Sequence, residues 1–489
     1  MTDTKLTGLL RTLSQEEMKQ LEKFVDSPYH NSGRDLTSLV RFMRSIHPAF
    51  EEAELTNELI YSKIFPGKKY DGKKSDNLIR TLTSHLFRMC KEFLVQAELK
   101  AQSETKEYML LNQLRKRGLY KEFDKEYENV IQPKDRLSRG SIGSFVTSYF
   151  MNAVKRDCSL NRDDFSNAFE YTMRASEDIL TAALISCFKF EDEKNLAEVY
   201  NANARSSILQ VMLDSIDYDK FLQRLKKEDP ERYPYINIFY HVYMMNKDRA
   251  GNSYYFRLKE LVTEHASLFG VAENYVLWNI LLTRSQLSKM GNAEVFSIHK
   301  YMVKNGVYKI SEKENFHIVL FRNIVIVASS LGEYEWLGNF IEKYSGELQD
   351  NHRENMKSYS LAYLHYAKSE FDKALEHILK VKYNLFLFKL DLRILQLKTY
   401  YELEYYEEAL SLAAASLSYI NSAKDLSPLI KTHIGNFIKC VRDLIKYKTD
   451  TKPRTEETEE LRKNVSGNLY ANLTEWYLKK LAEAEEMKR

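Results

Sequence analysis

Residues 358–420 write one phrase twice. SYSLAYLHYAKSEFDKALEHILKV is followed by LRILQLKTYYELEYYEEALSLAAASL, so that Glu370-Phe371-Asp372-Lys373-Ala374-Leu375 returns as Tyr405-Tyr406-Glu407-Glu408-Ala409-Leu410. The small residue steps from Ala374 to Ala409, 35 positions (409 − 374). A period of that size belongs to a pair of helices that cannot bury its apolar face alone and stacks on its neighbours. Few other features of the chain restrict its fold so tightly.

The rest of the chain fits that restriction. Only 16 glycines and 8 prolines punctuate 489 residues, and Leu, Lys, Glu, Tyr and Ala are abundant. Scarce turn formers and plentiful helix formers predict an all-α protein with short loops. The expected architecture is an N-terminal helical domain over 1–100, an α-solenoid of helix hairpins over 104–447, a linker at 448–465 and a capping helix at 466–489. The linker rests on polar residues and Pro453. The final helix has Leu469, Leu473, Trp476, Tyr477 and Leu481 on one face, an apolar stripe suited to closing the open end of a stack.

In the N-terminal domain Ser14 and Glu17 spell a capping box, S-x-x-E, before Met18, Leu21, Phe24 and Val25. A second helix carries Leu36 to Ile46, and a third starts from Thr56 and stops at Phe65-Pro66-Gly67. After a basic loop, Ser75 is expected to cap a helix whose apolar stripe is Leu78, Ile79, Leu82, Leu86, Met89, Cys90, Phe93 and Leu94. Further on, Phe165–Ala175 and Ile179–Phe190 read as two helices of one pair.

The segment Gly332 to Leu417 resembles tetratricopeptide-like repeats, carried by Gly332-Glu333-Tyr334, Ala374-x3-Ile378 and Ala409-x3-Ala413. It departs from the family pattern at the glycine position of the first helix, which holds Val325, Ala362 and Leu397, and at the absent closing proline. The resemblance implies a concave face lined by the first helix of each pair. Carried over residue by residue, that face comprises Arg322, Ile326, Tyr359, Tyr363, Tyr366, Ile394, Lys398 and Tyr401. Tyrosines beside cations suit a groove for a protein or peptide partner, with large flat area at low entropy cost. The phrases LSQEEMKQLEKFVDSPYHN and IFPGKKYDGKKSDNLIRTL also resemble helical proteins of Bacteroidetes, a likeness that implies no activity.

A second candidate face lies at residues 60–95, where eight lysines and arginines meet three acids. Lys68, Lys69, Lys73 and Lys74 occupy the loop, and Arg80, Ser84 and Arg88 the outer side of the next helix. A helix, a basic loop and a second amphipathic helix match a helix-turn-helix laid on DNA, and the region resembles the winged-helix domains that precede tetratricopeptide repeats in some bacterial activators. The alternative function is therefore a DNA-binding regulator with a repeat arm. Gly67 to Lys73 also meets G-x4-G-K, but Lys74 stands where the magnesium-binding Ser or Thr belongs, and the element before it reads as helix where that motif needs a strand.

Other chemistry finds no footing. The formal charge of +3 gives no global case for nucleic acid or anionic membrane. Cys90, Cys158, Cys187 and Cys440 are dispersed, as buried reduced thiols are. The eleven histidines form no H-E-x-x-H, and His365 sits at a packing position of a repeat. No signal sequence or membrane-spanning run is apparent. The expectation is a cytoplasmic, non-catalytic scaffold without cofactor or metal.

Overall fold

The computed structural model describes residues 4–31, 33–101, 103–131, 141–199, 208–248, 251–311, 314–382, 386–423, 428–450, 459, 461–462 and 471–488. Among these every regular element is helical. The centre of the expected linker, 451–458, and Leu469 lie outside the described residues. The chain divides into two compact units, Met1–Arg136 with Ile142–Ala183, and Leu137–Ser141 with Leu184–Arg489.

The first unit opens with α1 (Lys5–Arg11), α2 (Gln15–Asp26), α3 (Thr37–Ser45), α4 (Asn57–Ile64) and α5 (Gly72–Ala101). The box at Ser14 forms: Ser14 Oγ accepts from Glu17 N at 3.2 Å, and Ser14 N donates to the Glu17 carboxylate at 2.7 Å. A second box, Thr4 with Thr7, starts α1, an element too short for a periodic pattern. The thirty residues of α5 bury Ile79, Leu82, Leu86, Met89, Cys90 and Phe93 against the other four helices, while Leu94 is exposed. Ser75 is not the cap of α5. It lies inside the first turn, where its Oγ accepts from Asp71 N at 2.9 Å.

Next come α6 (Ser103–Lys116), α7 (Tyr120–Ile131), α8 (Ile142–Leu160) and α9 (Phe165–Val199), of which the part from Leu184 on belongs to the second unit. Leu111, Phe123, Tyr127, Met151, Val154 and Cys158 form the core of the α6–α8 group. The expected pair at 165–190 is a single 35-residue helix. Ser176-Glu177-Asp178 looks like a turn because it is polar. Asp178 is instead buried, accepting from Ser148 Oγ at 2.5 Å and Asn152 Nδ2 at 2.8 Å on α8. With those bonds made, nothing between Ala175 and Ile179 breaks the helix.

The second unit contains α10 (Ile208–Asp214), α11 (Tyr218–Glu228), α12 (Tyr233–Lys247), α13 (Ser253–Glu264), α14 (Val271–Leu287), α15 (Asn292–Lys304), α16 (Ile318–Ser330), α17 (Tyr334–Tyr344), α18 (Asp350–Ala367), α19 (Phe371–Lys380), α20 (Phe386–Glu402), α21 (Tyr406–Ser422), α22 (Pro428–Thr449) and α23 (Ala471–Lys488). Consecutive helices pack together from α11 to α22, with the exception that α22 also receives α23.

The repeated phrase has a repeated turn. Gly332, Ser369 and Glu404 all sit at positive φ, 73°, 60° and 60°. The next residue then donates back over the helix end: Glu333 N to Ala328 O at 3.1 Å, Glu370 N to His365 O at 2.9 Å, and Tyr405 N to Tyr400 O at 2.9 Å. That 6→1 bond defines a Schellman ending, which satisfies carbonyls left open at a helix terminus. Leu337, Ala374 and Ala409, each fully buried, follow on the first turn of the partner helix. Lys289, before α15, repeats the turn with Met290 N bonded to Ser285 O at 3.0 Å.

Candidate functional site

The first helices of the three pairs, α16, α18 and α20, lie side by side, and one carboxylate ties them together. Asp391 on α20 receives Arg322 of α16 in a two-pronged pair, through Nε and through Nη2 at 2.6 Å. Tyr359 of α18 donates to the same carboxylate at 2.9 Å. Side-chain exposure is 18% at Arg322 and 12% at Asp391, and Tyr359 has none. Bidentate pairing with Asp391 raises the guanidinium pKa despite burial, which opposes it. Burial and the Asp391 charge together push the Tyr359 and Tyr363 phenols up.

About three turns further along α20, a second network joins α18 and α20 to α23. Glu402, at the end of α20, accepts from Trp476 Nε1 at 3.2 Å and pairs with Lys480 at 2.7 Å, both on α23, and meets Tyr366 at 3.4 Å. Lys398 Nζ lies 4.9 Å from the Tyr366 ring and 5.3 Å from the Trp476 ring. Desolvation brings its pKa down to about 8; Glu402 opposes the fall and Lys480 adds to it. Tyr401, 4% exposed, lies edge-on to Trp476 and beneath Lys448 at 5.3 Å.

Of the eight residues expected in the groove, then, five serve the interior. Arg322 and Tyr359 are committed to Asp391, and Tyr366, Lys398 and Tyr401 lie against α23. For the last three the cause is α23, whose Leu473, Tyr477, Leu481 and Ala484 share a core with α20–α22. Ile326, Tyr363 and Ile394 are half-buried, Ile394 packing on that same core. Asp391 and Glu402, the residues that organise both networks, were not picked out by repeat alignment. The signal for Asp391 was a lone carboxylate between Leu390 and Leu392 in an apolar run. His365 is drawn to Glu370, Nδ1 to carboxylate oxygen 2.5 Å, and stacks on His377 at 5.3 Å.

The basic face belongs to the first unit. Lys68, Lys69, Lys73, Lys74, Arg80, Ser84 and Arg88 are all exposed. Lys74 sits 3.6 Å from Asp71, and Lys68 lies over the Phe65 ring. The helix α4, not a strand, precedes Gly67, so the G-x4-G-K run lacks the setting of a phosphate-binding loop.

Two open depressions of about 470 and 400 Å³ lie along α5. Among the described residues no His, Cys, Asp and Glu side chains converge in threes as a metal would need, and no helix is long and apolar enough to cross a membrane. All four cysteines are buried and free. No protein-family model matches the chain, and no curated protein shows a significant match to it.

Proposed function

We propose that the chain is a non-catalytic scaffold in which α12–α22 form a tetratricopeptide-like solenoid that takes a protein or peptide segment along the first-helix face of α16 and α18. One observation carries this reading: the Schellman ending at Gly332, Ser369 and Glu404 recurs at near-constant spacing, with α16, α18 and α20 held in a row by Arg322–Asp391–Tyr359. A rigid row of helices presents a preorganised surface, which lowers the ordering cost of binding. Because α23 covers Tyr366, Lys398 and Tyr401, the open part of the face centres on Ile326 and Tyr363. The location that fits this role is the cytoplasm.

Peptides selected by display against the full chain, then titrated in solution, test the assignment. Ile326→Glu and Tyr363→Ala are each expected to weaken a selected peptide at least about tenfold, as truncating an interface anchor does. Selected peptides that bind both variants as tightly as the parent, with folding intact by circular dichroism, would remove the groove from α16 and α18.

A further inference from the structure

The two depressions on α5 are consecutive and share one helix face. Arg80, Ser84, Phe87, Lys91 and Val95 follow at steps of four, three, four and four, the spacing of a single stripe. The first depression is walled by Lys5, Asn57, Asp76, Arg80, Ser84 and Phe87. The second is walled by Phe24, His30, Arg88, Lys91, Glu92 and Val95. The two share no wall residue, but from Arg80 to Lys91 the helix advances only about 16 Å, so both lie within the span of one extended ligand.

Each depression carries chemistry of two kinds. Lys5, Arg80, Arg88 and Lys91 have no carboxylate within ion-pair distance among the described residues, unlike Arg41 and Arg44 nearby, which both pair with Glu22. Aromatic faces lie beside these cations. Lys91 Nζ stands 5.2 Å from the Phe87 ring, and Phe24 stacks on His30 at 4.1 Å. Each depression also holds one carboxylate, Asp76 or Glu92. Hydrogen bonds from Tyr70 and Asn57 keep Asp76 ionised.

We propose that the two depressions together bind one single strand of nucleic acid, with backbone phosphates on Lys5, Arg80, Arg88 and Lys91 and bases laid against Phe87 and the Phe24–His30 pair. Duplex DNA fits less well, because a recognition helix has to project into a groove about 8.5 Å deep, whereas these cations line the walls of a recess. Stacked duplex bases also offer no free face to Phe87. An acidic peptide fits less well too. Its side chains are acceptors only and meet Asp76 and Glu92 as like charges, while the exocyclic amines of bases donate to carboxylates. Sixteen ångströms accommodates about five nucleotides at the 3.4 Å rise of a stacked strand. The proposal concerns the first unit alone and is independent of the peptide groove.

Fluorescence anisotropy on the full chain, with a labelled mixed-sequence ten-nucleotide strand as DNA and as RNA, tests it. The matching duplex and poly-glutamate serve as competitors. The single strand is expected to outcompete the duplex at least about tenfold, through stacking that the duplex lacks. The log–log salt slope should be close to −3, from about −0.7 for each of four phosphate contacts. Arg80→Ala with Arg88→Ala, both exposed, with folding checked by circular dichroism, should reduce that slope by about 1.4. Phe87→Leu should weaken binding severalfold without altering it, and Lys227→Ala, an exposed cation on α11, should change nothing. Preference for the duplex, competition by poly-glutamate at matched charge, a slope unmoved by the double variant, or no binding at low salt would each overturn the proposal.

Discussion

His299 is wholly enclosed on α15, and neither ring nitrogen has a hydrogen-bond partner. Burial alone brings its pKa from 6.5 down to about 4. Between those values the unfolded chain takes a proton that the folded chain refuses. The associated stability is therefore complete above about pH 6.5 and drains away as pH falls toward 4. His299→Leu is expected to flatten the urea midpoint between pH 7 and 5, and a parallel decline in parent and variant would refute this. Lys398 works at the other end of the scale. Its folded pKa of about 8 lies below the ordinary 10.5, so a penalty acts at all pH below about 8 and is relieved as pH rises to 10.5. Lys398→Met should stabilise the chain at pH 7 by about 1 kcal/mol, an advantage that shrinks by pH 10. Asp391→Asn keeps shape but removes the charge that Arg322 faces, and is expected to cost about 3 kcal/mol in urea unfolding.

At the scale of elements, the turn at each helix end holds more of the fold than composition does. Ser369 and Glu404 occupy a left-handed conformation that disfavours a side chain with Cβ. Ser369→Gly and Glu404→Gly should each stabilise by about 0.5–1 kcal/mol, Glu404 somewhat less because it also pairs with Lys448 at 3.0 Å. Thermal unfolding of the two variants checks this, and a lower midpoint in both would show that the turn is not strained. These turns were legible in the sequence because the phrase around Ala374 recurs around Ala409. The split of α9 into two helices was misread for a physical reason: Asp178 is polar in sequence but buried in the fold, and sequence does not reveal that Ser148 and Asn152 will satisfy it. Likewise the tyrosines of α18 read as a surface because their period matches the groove. Their burial depends on Asp391 and on α23, partners thirty and more residues away.

At the scale of the molecule, the apolar stripe of the final helix was legible in the sequence, and what it covers was not. Tyr477 and Leu481 are fully enclosed, and Trp476 meets Tyr401 and Phe437 at 5.5 and 5.8 Å. Tyr477→Ala is expected to cost about 3–4 kcal/mol and to raise binding of a hydrophobic dye. A variant with unchanged midpoint and dye signal would show that α23 is dispensable to the core. Glu402 meets Trp476 and Lys480 only across more than seventy intervening positions. A ribosome delivers the chain from the amino end at roughly 5–20 residues per second. For several seconds, therefore, the newborn chain carries Glu402, Lys398 and the Tyr401 ring uncovered, with the helix that will shelter them not yet made. During that interval the surface of α20 and α22 is open to whatever chaperone or neighbouring nascent chain reaches it first.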